Sequence, residues 1–312
     1  MNLKKIGLTA LAGSLVATSV FAAALDVTGG ASITFTGQEK TTVGNGFSMN
    51  DEVTFSGGGE LDNGWNVSVS MQLDSSETAT GNMDNRSITI DMGDTGTLAF
   101  VGHGGDGALS AIDDMMPTAY EESWDVVDGA TTAPGGPSSD NMFHYTNSSL
   151  MDSVVLKASY TPSGTGEAEG STDVGVTYTG IDNLTVGIAT GDNKAVANAS
   201  VDTTIVYAKM VFNAFTIGVQ TNEADSETAD ADVDMTAYAI SYAMDENVSL
   251  SYGVSEMDYE NTALDNQEST AVGISYTMGS MTLAASHNTV DNVAGTAAND
   301  NTGYEVNLAF AF

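Results

Sequence analysis

The sequence predicts an all-β fold, a transmembrane antiparallel up-and-down β-barrel of 16 strands. Three observations carry the prediction. Beyond residue 24, apolar and polar residues alternate with period two, the spacing of a strand with one apolar face. The alternating segments are joined by 7 short turns and 8 longer polar loops in strict succession. This sorting places every short turn at one end of a barrel and every loop at the other. Finally, Tyr304, Val306, Leu308, Phe310 and Phe312 share one side of the last segment, with Glu305, Asn307, Ala309 and Ala311 on the other. One face is apolar to the last residue.

In chain order, Leu25 to Phe35 alternates first, with Val27, Gly29, Ala31, Ile33 and Phe35 against Thr28, Ser32 and Thr34. Phe47, Met49, Val53 and Phe55 follow a loop and lead into Asp62-Asn63-Gly64, a hairpin turn because Asn-Gly accepts positive φ. Trp65, Val67, Val69, Met71 and Leu73 continue the outer face. Ile88, Ile90 and Met92 turn at Gly93 to Gly96 into Thr97 to Val101. After a long segment, 102–139, a strand at Asn141 to Thr146 turns near Asn147 into Val154 to Tyr160. Val174 to Tyr178 turns at Gly180 to Asn183 into Leu184 to Ile188, and Thr203 to Phe212 turns at Asn213-Ala214 into Phe215 to Val219. Tyr238 to Met244 turns at Asp245 to Asn247 into Val248 to Val254. Val272 to Met278 turns at Gly279-Ser280 into Met281 to Ala285, and the closing strand follows.

Composition narrows the class. Lys4 and Lys5 before the short apolar stretch Ile6 to Phe21 read as a secretory signal over 1–22, with cleavage after Ala22 or Ala24. The barrel domain is then 23–312. No later run of 18 apolar residues exists, so a membrane role requires strands rather than a helix. There is no cysteine, hence no disulfide framework. With 42 acids, 7 basic residues and a formal charge of −35, the chain repels nucleic acid, which is not an expected partner. Tyr160, Tyr178, Tyr207, Tyr252, Tyr276, Tyr304, Phe310 and Phe312 near strand ends are expected to form interfacial girdles.

Segment 102–139 is the longest connection. It carries Asp106, Asp113, Asp114, Glu121, Glu122, Asp125 and Asp128, with Pro117, Tyr120 and Trp124 among them. Connections of this length in a compact fold are usually functional. The following strand, Asp140 to Thr146 with Asn141 and Tyr145, and the next hairpin, Leu156 to Tyr160, resemble those of the general porins of Gram-negative bacteria, in particular the alphaproteobacterial type. The resemblance implies that 102–139 folds inward as a third external loop and sets the bore, its acids facing basic side chains on the wall. It also implies an outer-membrane location in contact with lipid, a homotrimer, and passive diffusion of small hydrophilic solutes without enzymatic activity or cofactor. The terminal alternation of Tyr304, Val306, Leu308, Phe310 and Phe312 resembles the signal by which the barrel-assembly machinery recognises such proteins.

One departure from that family matters. Removing Lys4 and Lys5 leaves one arginine, Arg86, and Lys40, Lys157, Lys194 and Lys209. Strand phase directs Lys157 and Lys209 into the lumen and leaves Arg86 near the rim. The lining is therefore expected to be nearly uniformly negative, and the pore to prefer cations. The rival reading is an exported acidic β-rich surface or adhesin protein, calcium-assisted, with its apolar faces packed between sheets.

Other motifs point nowhere specific. Gly102-x-Gly104-x-x-Gly107 lacks the βαβ unit of a dinucleotide site. Asp230-x-Asp232-x-Asp234 begins like a calcium loop but has Met235 at its sixth position and Ser241 at its twelfth. His103, His144 and His287 lack ligand spacing, so no metal site is expected, and no Gly-x-Ser-x-Gly nucleophile elbow is present.

Overall fold

Strands with one apolar and one polar face must bury backbone polarity without burying the polar face, and a closed sheet does both. The computed structural model, described over residues 25–40, 44–74, 83–136, 140–163, 169–194 and 200–312, forms that sheet. The expected signal and both cleavage points lie outside the described residues. In chain order the strands are β1 Asp26–Gln38, β2 Phe47–Glu60, β3 Asn66–Asp74, β4 Met83–Asp91, β5 Thr97–His103, β6 Met142–Asn147, β7 Val154–Thr161 and β8 Ser171–Ile181. They continue as β9 Leu184–Asn193, β10 Val201–Phe212, β11 Phe215–Ser226, β12 Val233–Ala243, β13 Val248–Tyr259, β14 Gln267–Met278, β15 Met281–Asp291 and β16 Asn301–Ala311.

Each strand pairs antiparallel with its sequence neighbours, and β1 pairs with β16 from Gly30↔Ala311 to Gln38↔Gly303. Gly29 N–H donates to Phe312 O and Phe312 N–H to Gly29 O, both at 2.9 Å, so the seam extends to the final residue. Closure leaves no open sheet edge. At the short-turn end, Asn183 and Asn213 take φ of 64° and 55°, and Gly279 takes 62°. These are the left-handed conformations that two-residue hairpins require.

The apolar phase faces outward. Ile188, Val272 and Ile274 expose 50%, 56% and 46% of their surface on the sheet exterior, far more than a soluble core would leave. The rival reading, with apolar faces packed between two sheets, is thereby set aside. Three local expectations change. Trp65 precedes β3 in the turn, where its N–H donates to Asn63 Oδ1 at 3.2 Å, and Met244 lies beyond the end of β12. Tyr207 leaves the girdle: it shares the inward phase of Ile205 and is buried against Leu109 and Ile112.

The interior holds the fold's packed core. Met116 and Trp124 pack on Met235, Ala237, Ala239 and Met257; Leu109 and Ile112 pack on Ala189, Ile205 and Tyr207; Val127 packs on Val290 and Val293. The expected all-polar lumen face is therefore interrupted by methionines and aliphatics on β9 to β15, because the connection between β5 and β6 covers them.

Candidate functional site

The connection between β5 and β6 lies inside the barrel, held to the wall along two passes. On the first, Ala108 N–H donates to Ser159 Oγ and Asp173 Oδ1, each at 3.0 Å, fixing the root against β7 and β8. Met115 N–H then donates to Gln220 Oε1 on β11 at 2.8 Å, and Ala119 N–H to Ser251 Oγ on β13 at 2.8 Å. The Tyr120 hydroxyl reaches Glu305 Oε1 on β16 at 2.5 Å. On the return, Asn288 Nδ2 donates to Glu122 O at 2.5 Å, Asp128 N–H to Gln38 Oε1 at 3.2 Å, and Thr131 N–H to Gln267 Oε1 at 2.8 Å. Asn222 Nδ2 closes the circuit on Pro134 O at 2.7 Å. These wall partners lie on β1, β7, β8, β11 and β13 to β16, which leaves β2 to β6 as the side these hydrogen bonds do not occupy.

Glycines set the loop's root and its closeness to the wall. A Cβ at Gly102 would lie 2.8 Å from Arg86 Nε, one at Gly107 2.5 Å from Asp173 Oδ2, and one at Gly218 2.5 Å from Pro117 Cδ. Gly104, at φ 61°, packs on Asn85. The glycine spacing that imitates a dinucleotide fingerprint is thus a packing requirement of the loop root. His103 Nδ1 lies 2.6 Å from Asp140 Oδ1 and draws the two ends of the loop together.

The loop acids divide into groups. Glu121, Glu122 and Asp125 converge, with one oxygen of each lying within 4.8 Å of the others. Among the described residues this is the group whose geometry suits sharing one hard cation. Asp113 and Asp114 form a second group over β11, where Gln220 Nε2 and Asn222 Nδ2 donate to Asp113 O at 2.5 and 3.0 Å. Asp106 stands at the exposed root, and Asp128 stands apart, exposed near Gln38.

Burial raises four of the loop acids. Desolvation, reinforced by Asp114, pushes Asp113 up to about 7. Burial also lifts Asp114, Glu121 and Glu122, the last strengthened by its hydrogen bond with Asp125. The Tyr120 phenol is driven far up by burial and by Glu305, and so remains a donor.

The expected basic residues fall as follows. Lys157 lies opposite Thr146 and Gly175 in the phase of Ser159, on the inner wall. Lys209 lies opposite Gly218, beneath Pro117, with Nζ 5.8 Å from the Tyr207 ring centre. Arg86 is exposed beside the bulge in the β4–β5 pairing, against Gly102. Tyr304, Val306, Phe310 and Phe312 are exposed on the outer face of the closing seam, and Leu308 lies in the same phase. Asp230, Asp232 and Asp234 serve local structure: Asp230 takes a left-handed turn, Asp232 Oδ1 accepts Ser226 N–H at 2.7 Å, and Asp234 faces outward across from Glu223 and Asp258.

Sequence reasoning missed the wall side of the site. Gln220, Asn222, Gln267 and Asn288 are fully buried on strand interiors, and Glu305 and Ser251 hold the loop beside them. Amides at inward positions of long strands were the available signal, since a buried amide needs partners.

Comparisons agree with this geometry. The barrel superposes on an anion-selective porin from Comamonas acidovorans with a TM-score of 0.68 at 12% identity, covering 93% of this chain and 99% of that one. It superposes on Salmonella typhi OmpF in complex with daunomycin with a TM-score of 0.70 at 13% identity, covering 92% and 97%. A mutant Rh. blastica porin gives a TM-score of 0.66 at 16% identity, covering 93% and 100%. No curated protein matches the chain. The family model described as Gram-negative porin matches residues 7–266, and the closed 16-stranded antiparallel barrel accords with that match. The chain therefore belongs to the Gram-negative porin family and resides in the outer membrane.

Proposed function

We propose that this porin is a cation-preferring channel for passive diffusion of small hydrophilic solutes, narrowed by residues 102–139. One observation carries the reading: the loop inside the barrel bears two groups of acids, and the β2 to β6 wall has no inward lysine or arginine among the described residues. The two inward lysines lie elsewhere, on β7 and β10, and Lys209 is covered by the loop. A bore lined by one sign of charge raises the local concentration of the opposite sign. The Comamonas acidovorans porin is described as anion-selective on the same fold, so charge preference depends on the lining and not on the barrel. Asp106, Asp113, Asp114, Glu121, Glu122, Asp125 and Asp128 supply the loop charge in this reading, with Lys157 and Lys209 as wall bases and Arg86 at the rim.

A homotrimer fits a membrane barrel of this type. One structural neighbour, OmpT of Vibrio cholerae, is described in a trimer form. Ala31 is a small residue on the outer face of β1, while the Phe312 ring covers Gly29 beside it. The closing strand from Tyr304 to Phe312 is the segment we assign to recognition by the barrel-assembly machinery. Reversal potentials of the purified protein in planar bilayers under a KCl gradient test the channel reading. Cation preference supports it, and anion preference overturns it.

A further inference from the structure

The β2 to β6 wall carries an inward acid of its own. Glu52 lies in the inward phase of β2, directly opposite Gly30 on β1 and Asp74 on β3. The inward phase of β1 is established independently: Thr36 Oγ1 donates to Glu305 Oε2 at 3.0 Å, and Glu305 also holds the loop through Tyr120. Gly30 and Thr36 share that phase, so Glu52 points into the barrel.

Two neighbouring amides orient it. Asn85 Nδ2 on β4 donates to Gln72 Oε1 on β3 at 2.5 Å, and Gln72 Nε2 donates to Glu52 Oε2. Asn85 in turn packs against Gly104 at the loop root. The relay fixes the orientation of the carboxylate. Gly30 has no side chain to cover it, and a Cβ there would still lie 3.7 Å from Glu52 Oε1. Its inward neighbours on β2, Ser48, Asn50, Thr54 and Ser56, are uncharged, and the acid opposite it on β3 is Asp74.

We infer that Glu52 is a selectivity-determining residue: it makes the barrel wall negative where the bore passes the acidic loop, so permeant cations move between two acidic surfaces. The inference rests on the proposed channel reading and adds the wall to it. A carboxylate serving only to orient Gln72 would be replaced without loss by an amide.

The test uses the mature protein, purified in detergent and reconstituted in planar bilayers. The cation-to-anion permeability ratio is measured for wild type, Glu52→Gln, Glu52→Lys and Thr54→Lys, with heat-modifiable gel mobility confirming folded barrels. Removing one charge acting over about 8 Å in water should lower the ratio about two- to threefold in Glu52→Gln. Both lysine variants should lower it further, and the differences should shrink in 1 M salt. An unchanged ratio in Glu52→Gln overturns the wall assignment, even with a cation-preferring wild type and whatever the lysine variants do. A wild type without cation preference overturns the channel reading instead, and a lower cation-to-anion ratio in Glu52→Gln than in that wild type would still support the wall assignment.

Discussion

The Tyr120 hydroxyl donates to Glu305 Oε1 at 2.5 Å, joining the tip of the internal loop to the strand that closes the barrel, 185 residues later. Thr36 on β1 donates to the other oxygen of Glu305, so one carboxylate ties the loop to both sides of the β1–β16 seam. Tyr120→Phe keeps the ring and removes the donor. Losing a hydrogen bond to a charged group costs roughly 1.5–3 kcal/mol. Single-channel recordings should show a noisier, wider-ranging open conductance with an intact barrel.

Gly218 permits the loop to lie against β11. A Cβ there would stand 2.5 Å from Pro117 Cδ, on a ring that cannot rotate away. Gly218→Val should cost roughly 1–3 kcal/mol through overpacking and push the loop toward the bore. A lower single-channel conductance, with the folded gel band retained, is the expected outcome.

Trp124 is the largest apolar contribution of the loop to its wall, buried with Met116 against Met235 and Met257. Truncation to alanine should cost roughly 3–5 kcal/mol of loop docking. Limited proteolysis should then cut within 104–136 while the sixteen strands stay protected.

The charge of the loop should titrate unusually high. Burial and the neighbouring Asp114 hold Asp113 at about 7, and an acid with a raised value is charged above it and neutral below. Negative charge at the bore is therefore lost as pH falls through 7, where an ordinary carboxylate keeps its charge to about 4. Cation preference should decline by about twofold between pH 8 and pH 6, the effect of one charge at close range. Asp113→Asn should reduce that step, the remainder coming from Glu122, which burial and Asp125 also hold high.

Phe312 adds an exposed aromatic to a seam already closed by its own backbone hydrogen bonds to Gly29. Phe312→Ala keeps the backbone pairs and removes the ring. Cells expressing it should contain less heat-modifiable barrel and more unassembled chain, whereas refolding into detergent should proceed as for the wild type.

The strands, their number and the sorting of turns from loops were legible because outward positions had to satisfy lipid regardless of anything else in the chain. The inward phase was legible for Lys157 and Lys209 by the same parity. Tyr207 was misplaced although it shares the parity of Lys209, because an aromatic near a strand end suits an interfacial girdle as well as an inner wall. Met235, Met257 and Ile205 break the polar pattern of the lumen for a reason visible only once Trp124, Met116, Leu109 and Ile112 are seen lying on them.

The sequence by itself determined the barrel, its topology and its acidic excess, since period two, turn chemistry and composition are local properties that each residue states alone. Only the tertiary structure decided which wall the loop covers, which acids converge, and which amides orient Glu52 on the inner wall. Those depend on contacts between residues scores of positions apart, and the packing of an internal loop has no periodicity to announce where it will lie.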